Sequence, residues 1–295
     1  MKKKLTIIIA VISLLALMVV SLVACSRATT QGQLANFLVD HGQEVFVYDV
    51  KNAATNETGT YTVTVTKHAA NSAVDCPDPI ANVEAGVLVE SHLVMGSVEY
   101  QTGCYFNIVS GTSLMTPAYT YRIQKENGNE TFRMKGNYTG AVFKFEKVID
   151  GKVSTGAFKL SGTYFDNNEF HQSLRTVTTF STNFNFSYSV PLVSPNESSA
   201  VTLSASCSRT AKVKTAYTAT LADAEDGVEC YNVHVARSTK VAGLAQSLYY
   251  AKNPMKAGNS TLTMTHVLVK FYEPYITESG EKSEIEYALK TAEIH

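Results

Sequence analysis

The sequence predicts a mainly β protein: strongly bent antiparallel sheet or sheets, arranged as an open barrel or a sandwich, with few short helices. Three observations predict it. Apolar residues recur at every second position in many short runs. Asn-Gly and Asp-Gly pairs, the dipeptides favoured in two-residue hairpin turns, separate several of those runs. Helical periodicity is confined to two short stretches, Gln33–His41 and Ser238–Gln246.

Taken in order, residues 25–33 are mostly small and polar, as a short tether requires, and the helix expected over Gln33–His41 ends at Gly42, a usual helix stop. The period then changes. Tyr61, Val63 and Val65 alternate with threonines, the pattern of a half-buried strand. The alternation returns at Tyr119, Tyr121 and Ile123, at Phe132 and Met134, and at Phe184, Phe186, Tyr188 and Val190. It continues at Tyr231, Val233 and Val235 and at Val267, Val269 and Phe271. Asn127-Gly128 and Asp150-Gly151 fall between such runs, so residues 117–190 read as a meander of hairpins. The Pro-containing polar stretch Pro191–Ser199 marks the expected boundary between a meander over 34–190 and a C-terminal β part over 191–295, continuous with the same sheet system.

Composition sets bounds. Of 295 residues 45% are apolar, enough for a substantial core. The 25 basic residues are balanced by 26 acidic ones, and no basic run follows residue 4, so the chain offers no footprint for nucleic acid. No stretch after the first 24 residues has 18 consecutive apolar positions.

The N-terminus is the most specific feature. Lys2, Lys3 and Lys4 precede an apolar run that closes on Leu22-Val23-Ala24-Cys25, the order of parts in a secretory signal. Those last four residues resemble the lipobox of bacterial lipoproteins. The resemblance covers residues 1–26 and implies cleavage of 1–24, diacylation of Cys25 and a location on the extracytoplasmic face of a bacterial cell membrane. Two other readings are open: Leu5 to Val23 is long enough to remain as an uncleaved spanning helix, or an ordinary peptidase leaves Cys25 a plain thiol.

Cys76, Cys104, Cys207 and Cys230 complete the cysteine set, an even number in an exported chain. The sequence-local pairing Cys76–Cys104 with Cys207–Cys230 is the expected one, with four buried free thiols as the alternative.

Many lipoproteins of this length are solute-binding subunits of transporters. Their lobes need helical crossovers between parallel strands, and this chain has hairpins instead. A second resemblance rests on the last third, on Leu248-Tyr249-Tyr250-Ala251, Val267-Leu268-Val269-Lys270 and Ile285-Glu286-Tyr287-Ala288-Leu289. These runs are similar to the closing strands of the lipoprotein-carrier class of envelope proteins. That resemblance implies a sheet curled around acyl chains and carries over no binding residue.

Signatures of catalysis are sparse. There is no G-x-S-x-G elbow, no H-E-x-x-H pair and no phosphate loop of the Walker or Rossmann type. Ser279-Gly280-Glu281-Lys282 has S-x-x-K spacing but lies in a polar Gly- and Glu-rich segment, without the accompanying S-D-N and K-T-G elements. Cys230 and His234 lie roughly 13 Å apart if the strand is regular, too far to share a metal ion. Asp223-Ala224-Glu225-Asp226-Gly227 lacks the full ligand order of a calcium loop. No cofactor and no metal are expected.

The aromatic content, 16 Tyr and 13 Phe without Trp, points to a binding concavity or simply to core. The residues expected to line such a concavity are Tyr119, Tyr121, Phe143, Phe145, Phe184, Phe186 and Tyr188. The expectation is therefore a membrane-anchored, non-enzymatic lipoprotein that binds a lipid-like or apolar ligand or another envelope component. The alternatives are an interaction module with a filled core, or a hydrolase with an unrecognised site.

Overall fold

The computed structural model describes residues 42–108, 115–176, 181–222, 224–237, 245–277 and 279–295. The signal sequence, Cys25, the tether and the helix expected over 33–41 lie outside them. So does nearly all of the second expected helix, whose last residue, Gln246, opens a strand.

Eight strands follow one another as hairpins: β1 (Gln43–Asn52), β2 (Thr58–His68), β3 (Gly86–Met95), β4 (Val98–Ile108), β5 (Met115–Glu126), β6 (Asn129–Thr139), β7 (Val142–Ile149) and β8 (Lys152–Lys159). The turns explain the register. Asn127 and Gly128 have φ of 51° and 77°, and Asp150 and Gly151 have φ of 50° and 76°. Both central residues are thus left-handed, as the tight hairpin turn that follows strand twist demands.

After one short helix, α1 (Phe170–Arg175), a second meander is made by β9 (Asn185–Val193), β10 (Ser198–Val213), β11 (Val228–Arg237), β12 (Gln246–Ala251), β15 (Leu268–Ile276) and β16 (Lys282–Ile294). A small ribbon of β13 (Met255–Lys256) and β14 (Thr263–Met264) stands apart. β16 pairs with β1, which joins the meanders into one antiparallel sheet of 14 strands with β8 and β9 at its edges. The stretch read as a boundary, Pro191–Ser199, is instead the β9–β10 hairpin, with Pro191 opposite Ala200. Proline is tolerated there because β9 is an edge strand and has no ladder bond to donate on its free side.

A twisted sheet of this width curls rather than stays flat, and bulges sharpen the bend. Register shifts occur at Val47/Tyr48, Tyr105/Phe106, Cys207/Arg209 and Tyr249/Tyr250, where an extra residue on one strand increases local twist. The two edges do not pair with each other, so the sheet is not closed. The segment after β8 bridges the gap. Phe165 N donates to Ser189 O at 3.0 Å and Ser189 N to Thr163 O at 2.8 Å. Lys147 Nζ, on β7, reaches Ser194 O at 2.9 Å in the β9–β10 turn.

That connecting segment then runs along the inner face. Every residue of α1 is buried. Phe165, Phe170 and Leu174 pack into one continuous cluster with inner-face residues of β1–β4, β9–β12, β15 and β16. Arg175 is anchored there: Nη1 donates to Glu44 Oε2 at 2.9 Å and to Gln172 Oε1 at 3.1 Å, and Nη2 to Thr265 O at 3.2 Å.

The four described cysteines are free, buried thiols, which corrects the expected disulfides. Cys104 lies in the inner cluster, whereas Cys76 packs in a separate cluster on the opposite face. Cys207 stands opposite Val233 and Cys230 opposite Ala211. On β11, Cys230 and Val233 are three residues apart, roughly 10 Å, too far for a disulfide.

Candidate functional site

Between α1 and the inner face of the sheet lies a cavity of about 380 Å³. Strands from both meanders line it, with β2–β5 on one side and β12, β15 and β16 on the other. Only a curled sheet brings Arg122 of β5 and Gln246 of β12 to one space.

One wall is aromatic. The rings of Phe271 and Tyr287 stack at 4.1 Å with 6° between their planes, and Tyr61 meets Tyr287 edge-on at 5.3 Å. The pairing dictates this: Phe271 stands directly opposite Tyr287 across β15 and β16. Leu93 and Ile285 extend the apolar surface.

The polar groups fall into two chains. His171 Nε2 meets Gln246 Oε1 at 3.1 Å, Gln246 Nε2 donates to Glu273 Oε1 at 3.3 Å, and the Tyr287 hydroxyl donates to Glu273 Oε2 at 3.0 Å. The Gln246 carbonyl can only accept, so His171 donates from Nε2. Burial lowers the His171 pKa and keeps its imidazole neutral. In the second chain Ser91 Oγ lies 2.6 Å from Thr102 Oγ1, which donates to Glu169 Oε1 at 2.9 Å. Burial, reinforced by Asp166, raises the Glu169 pKa well above the usual carboxylate range. Asp166, two hydrogen bonds deep in the turn before α1, has its pKa pushed up by burial to about 6.

Arg122 is different from these. It stacks over Tyr100 at 5.4 Å and Phe132 at 5.9 Å from the ring centroids, and it lines the cavity. Its Nε is shielded from solvent with no hydrogen-bond partner. Burial lowers its pKa, opposed by Tyr100 and Glu273.

The aromatic residues expected to line a concavity lie elsewhere. Tyr119 and Tyr121 point to the opposite face, where residues 69–85 cover them and Tyr121 donates to Glu90 Oε1 at 2.5 Å. A bulge is the reason: Phe106 stands opposite Pro117 but Tyr105 opposite Tyr119, so Ala118 is extra and the side-chain alternation shifts there. Phe143 and Phe145 are packed with Phe158 at ring separations of 5.5 Å and 5.8 Å. Phe184, Phe186 and Tyr188 do share a face, and Tyr188 packs edge-on against Phe165 at 5.1 Å. These rings fill core rather than line the cavity.

Sequence reading did not find Arg122, His171, Gln246, Glu273 or the Phe271–Tyr287 stack as a group. Arg122 sits between Tyr121 and Ile123 in an alternating strand, where a charge reads as the solvent face. The cue available was its parity with Thr120 and Gln124, three polar positions in a row on one side of β5.

A curled, unclosed antiparallel sheet with an internal plug and a mixed aromatic and polar cavity defines a barrel-like β protein. No protein-family model matches this sequence, and no curated protein does. Among solved structures the chain is similar to the beta-barrel-like protein of the domain of unknown function DUF1849 from Brucella abortus. The TM-score is 0.51 at 11% identity, over 87% of this chain and 99% of that one. At that identity the likeness shows the fold alone. Among the described residues no helix is long and apolar enough to cross a membrane, and none of their His, Cys, Asp and Glu side chains gather in groups of three that could hold a metal ion.

Proposed function

We propose that this chain is a lipid-anchored, extracytoplasmic binding protein without enzymatic activity, whose curled sheet holds an apolar or amphipathic small molecule in the inner cavity. The observation that carries the reading is the cavity of about 380 Å³ walled by Tyr61, Phe271 and Tyr287. Its volume falls within the range of small-molecule sites, and its lining sets that aromatic wall against polar groups that include Thr102, Arg122, Gln246 and Glu273, as an amphipathic ligand requires. Catalysis is disfavoured by how the polar groups are used. The Ser91 hydroxyl meets Thr102, and the His171 ring faces Gln246, so neither forms a nucleophile–base pair.

The test is native mass spectrometry of the full chain extracted from membranes, beside a Leu93→Trp variant that fills the cavity with an indole. The wild type should carry the added mass of a small organic molecule, and the variant should lose it while keeping its β circular dichroism. A wild type without added mass would refute the reading and favour an interaction module. The anchoring part rests on Leu22-Val23-Ala24-Cys25. A Cys25→Ser substitution should release the protein from the membrane fraction, since each buried acyl CH₂ contributes about 0.8 kcal/mol. Unchanged retention would favour an uncleaved helix.

A further inference from the structure

The cavity contains one large donor group whose hydrogen-bonding capacity is unused. Arg122 makes no hydrogen bond or ion pair with any described residue; its contacts are the faces of Tyr100 and Phe132. Arg175, fully buried where Arg122 is half-buried, shows how this fold treats a structural guanidinium. Its two Nη atoms are met by a carboxylate, a side-chain carbonyl and a backbone carbonyl, over the Phe46 ring at 4.7 Å, and it is at the Nη atoms, not at Nε, that Arg122 differs. Partial burial of a guanidinium without such acceptors is costly unless something else supplies them.

The other charge lining the cavity does not supply them. Glu273 forms no salt bridge with Arg122, and its oxygens already accept from Gln246 and Tyr287. His171 is committed to Gln246. The unfilled capacity of the site is therefore for acceptors, next to an aromatic wall.

We propose that the cavity selects an amphipathic acid, with a carboxylate received by the Arg122 guanidinium and an apolar body lying along Tyr61, Leu93, Phe271 and Tyr287. This rests on the ligand-binding reading above and names the ligand class for it. A planar guanidinium fork matches a carboxylate through two parallel hydrogen bonds, a geometry a neutral alcohol cannot reproduce. The Tyr100 and Phe132 rings, 5.4 Å and 5.9 Å from Arg122 Cζ, restrict the guanidinium before the ligand arrives.

The test compares three probes of one shape: 4-phenylbutyrate, 4-phenylbutan-1-ol and 4-phenylbutylamine. Each is titrated calorimetrically into the full chain in lipid nanodiscs, with protein-free nanodiscs as the blank. Charge-assisted hydrogen bonds separate acid from alcohol by about tenfold or more in Kd. That preference should vanish in Arg122→Gln, which should still bind the alcohol. Arg122→Lys, which keeps the charge but loses the fork, should fall between the two. Equal binding of acid and alcohol by the wild type, or an acid preference that survives in Arg122→Gln, overturns the inference and leaves the ligand-binding reading standing. Tightest binding of the amine overturns it in favour of Glu273 as the anchor. Failure of all three probes to bind overturns both readings. The wild-type comparison of acid with alcohol needs no variant, so a poorly folding Arg122→Gln does not shelter the proposal.

Discussion

Asp166 should contribute stability in mild acid that is lost towards neutral pH, in the opposite direction to buried histidines such as His171, whose lowered pKa favours the fold at higher pH. Its carboxyl group is 1% exposed, accepts from the Tyr138 hydroxyl at 2.6 Å and accepts from Asn168 N at 2.8 Å. Burial raises its pKa from 3.8 to about 6, against the opposing pull of those hydrogen bonds. The folded state therefore holds the proton more tightly than the unfolded chain. The stability linked to that proton is fully present below pH 3.8 and is lost as pH rises through about 6. A gap of about two units corresponds to about 3 kcal/mol. For a domain of this size that is a fall in Tm of roughly 6–12 °C. Glu169 acts in the same direction and is coupled to Asp166, so the two titrate as a pair. The assay is thermal unfolding followed by circular dichroism at fixed ionic strength, for wild type and Asp166→Asn, between about pH 4 and pH 8. Subtracting one Tm curve from the other removes the contribution of every distant carboxylate. The amide copies the protonated acid, and the Tyr138 hydroxyl can turn to accept from it. Asp166→Asn should therefore gain on the wild type as pH rises. A difference curve flat across that range would refute the reasoning.

Three further outcomes are expected. Glu44→Ala should cost about 3–5 kcal/mol by leaving the Arg175 guanidinium buried beside no carboxylate, whereas Glu44→Leu with Arg175→Met should be close to neutral; shifts in urea midpoint measure both. Gly136→Ala should destabilise by about 1–3 kcal/mol, because an added Cβ would lie 2.3 Å from the buried Phe143 ring; Phe143→Leu in the same chain should restore part of the loss in thermal unfolding. Cys76, Cys104, Cys207 and Cys230 should be silent to Ellman's reagent in the native protein and all react in urea without reductant, since burial raises each thiol's pKa, that of Cys230 to about 12.

The strands were legible because their information is local. Tyr61, Val63 and Val65 declare a period of two, and Asn127-Gly128 declares a turn with both residues left-handed; neither depends on distant chain. What was not legible was which side of the strand faces inward. In β5 beyond the bulge the apolar parity, Tyr119, Tyr121 and Ile123, lies on the outer face under residues 69–85, while β4 presents buried apolar groups to both faces, Tyr105 outward and Cys104 and Phe106 inward. The polar parity, Thr102, Thr120 and Arg122, lies on the inner face. Alternation separates two faces but does not say which one the sheet will curl around. The bulge at Ala118 compounds this, since a single extra residue exchanges the faces without altering hydrophobicity. Helix α1 was missed for a related reason. Its six residues, Phe-His-Gln-Ser-Leu-Arg, are too few to show a helical period, and all are buried, so none of them marks a solvent face.

The connection between the two meanders explains why fold and cavity come together. Two meanders joined through β1 and β16 leave β8 and β9 as free edges, and a free edge is a template for unwanted pairing. Residues 163–165 cover β9 at Ser189, and Tyr164 donates to Gly140 O at 2.9 Å at the β6–β7 turn, so one short segment ties edge strand β9 to the end of the first meander. From there the chain turns inward, and Asp166 to Arg175 occupy the space the sheet encloses. That plug fills the inner space along Leu174 and Arg175, against Glu44 and Phe46 of β1. It ends short of a full core at Asn167, Asn168, Phe170 and His171, which form one side of the cavity. The cavity is therefore bounded by the same segment that ties β9 to the first meander, and Asp166 and Glu169 anchor that segment to Tyr138 and Thr102.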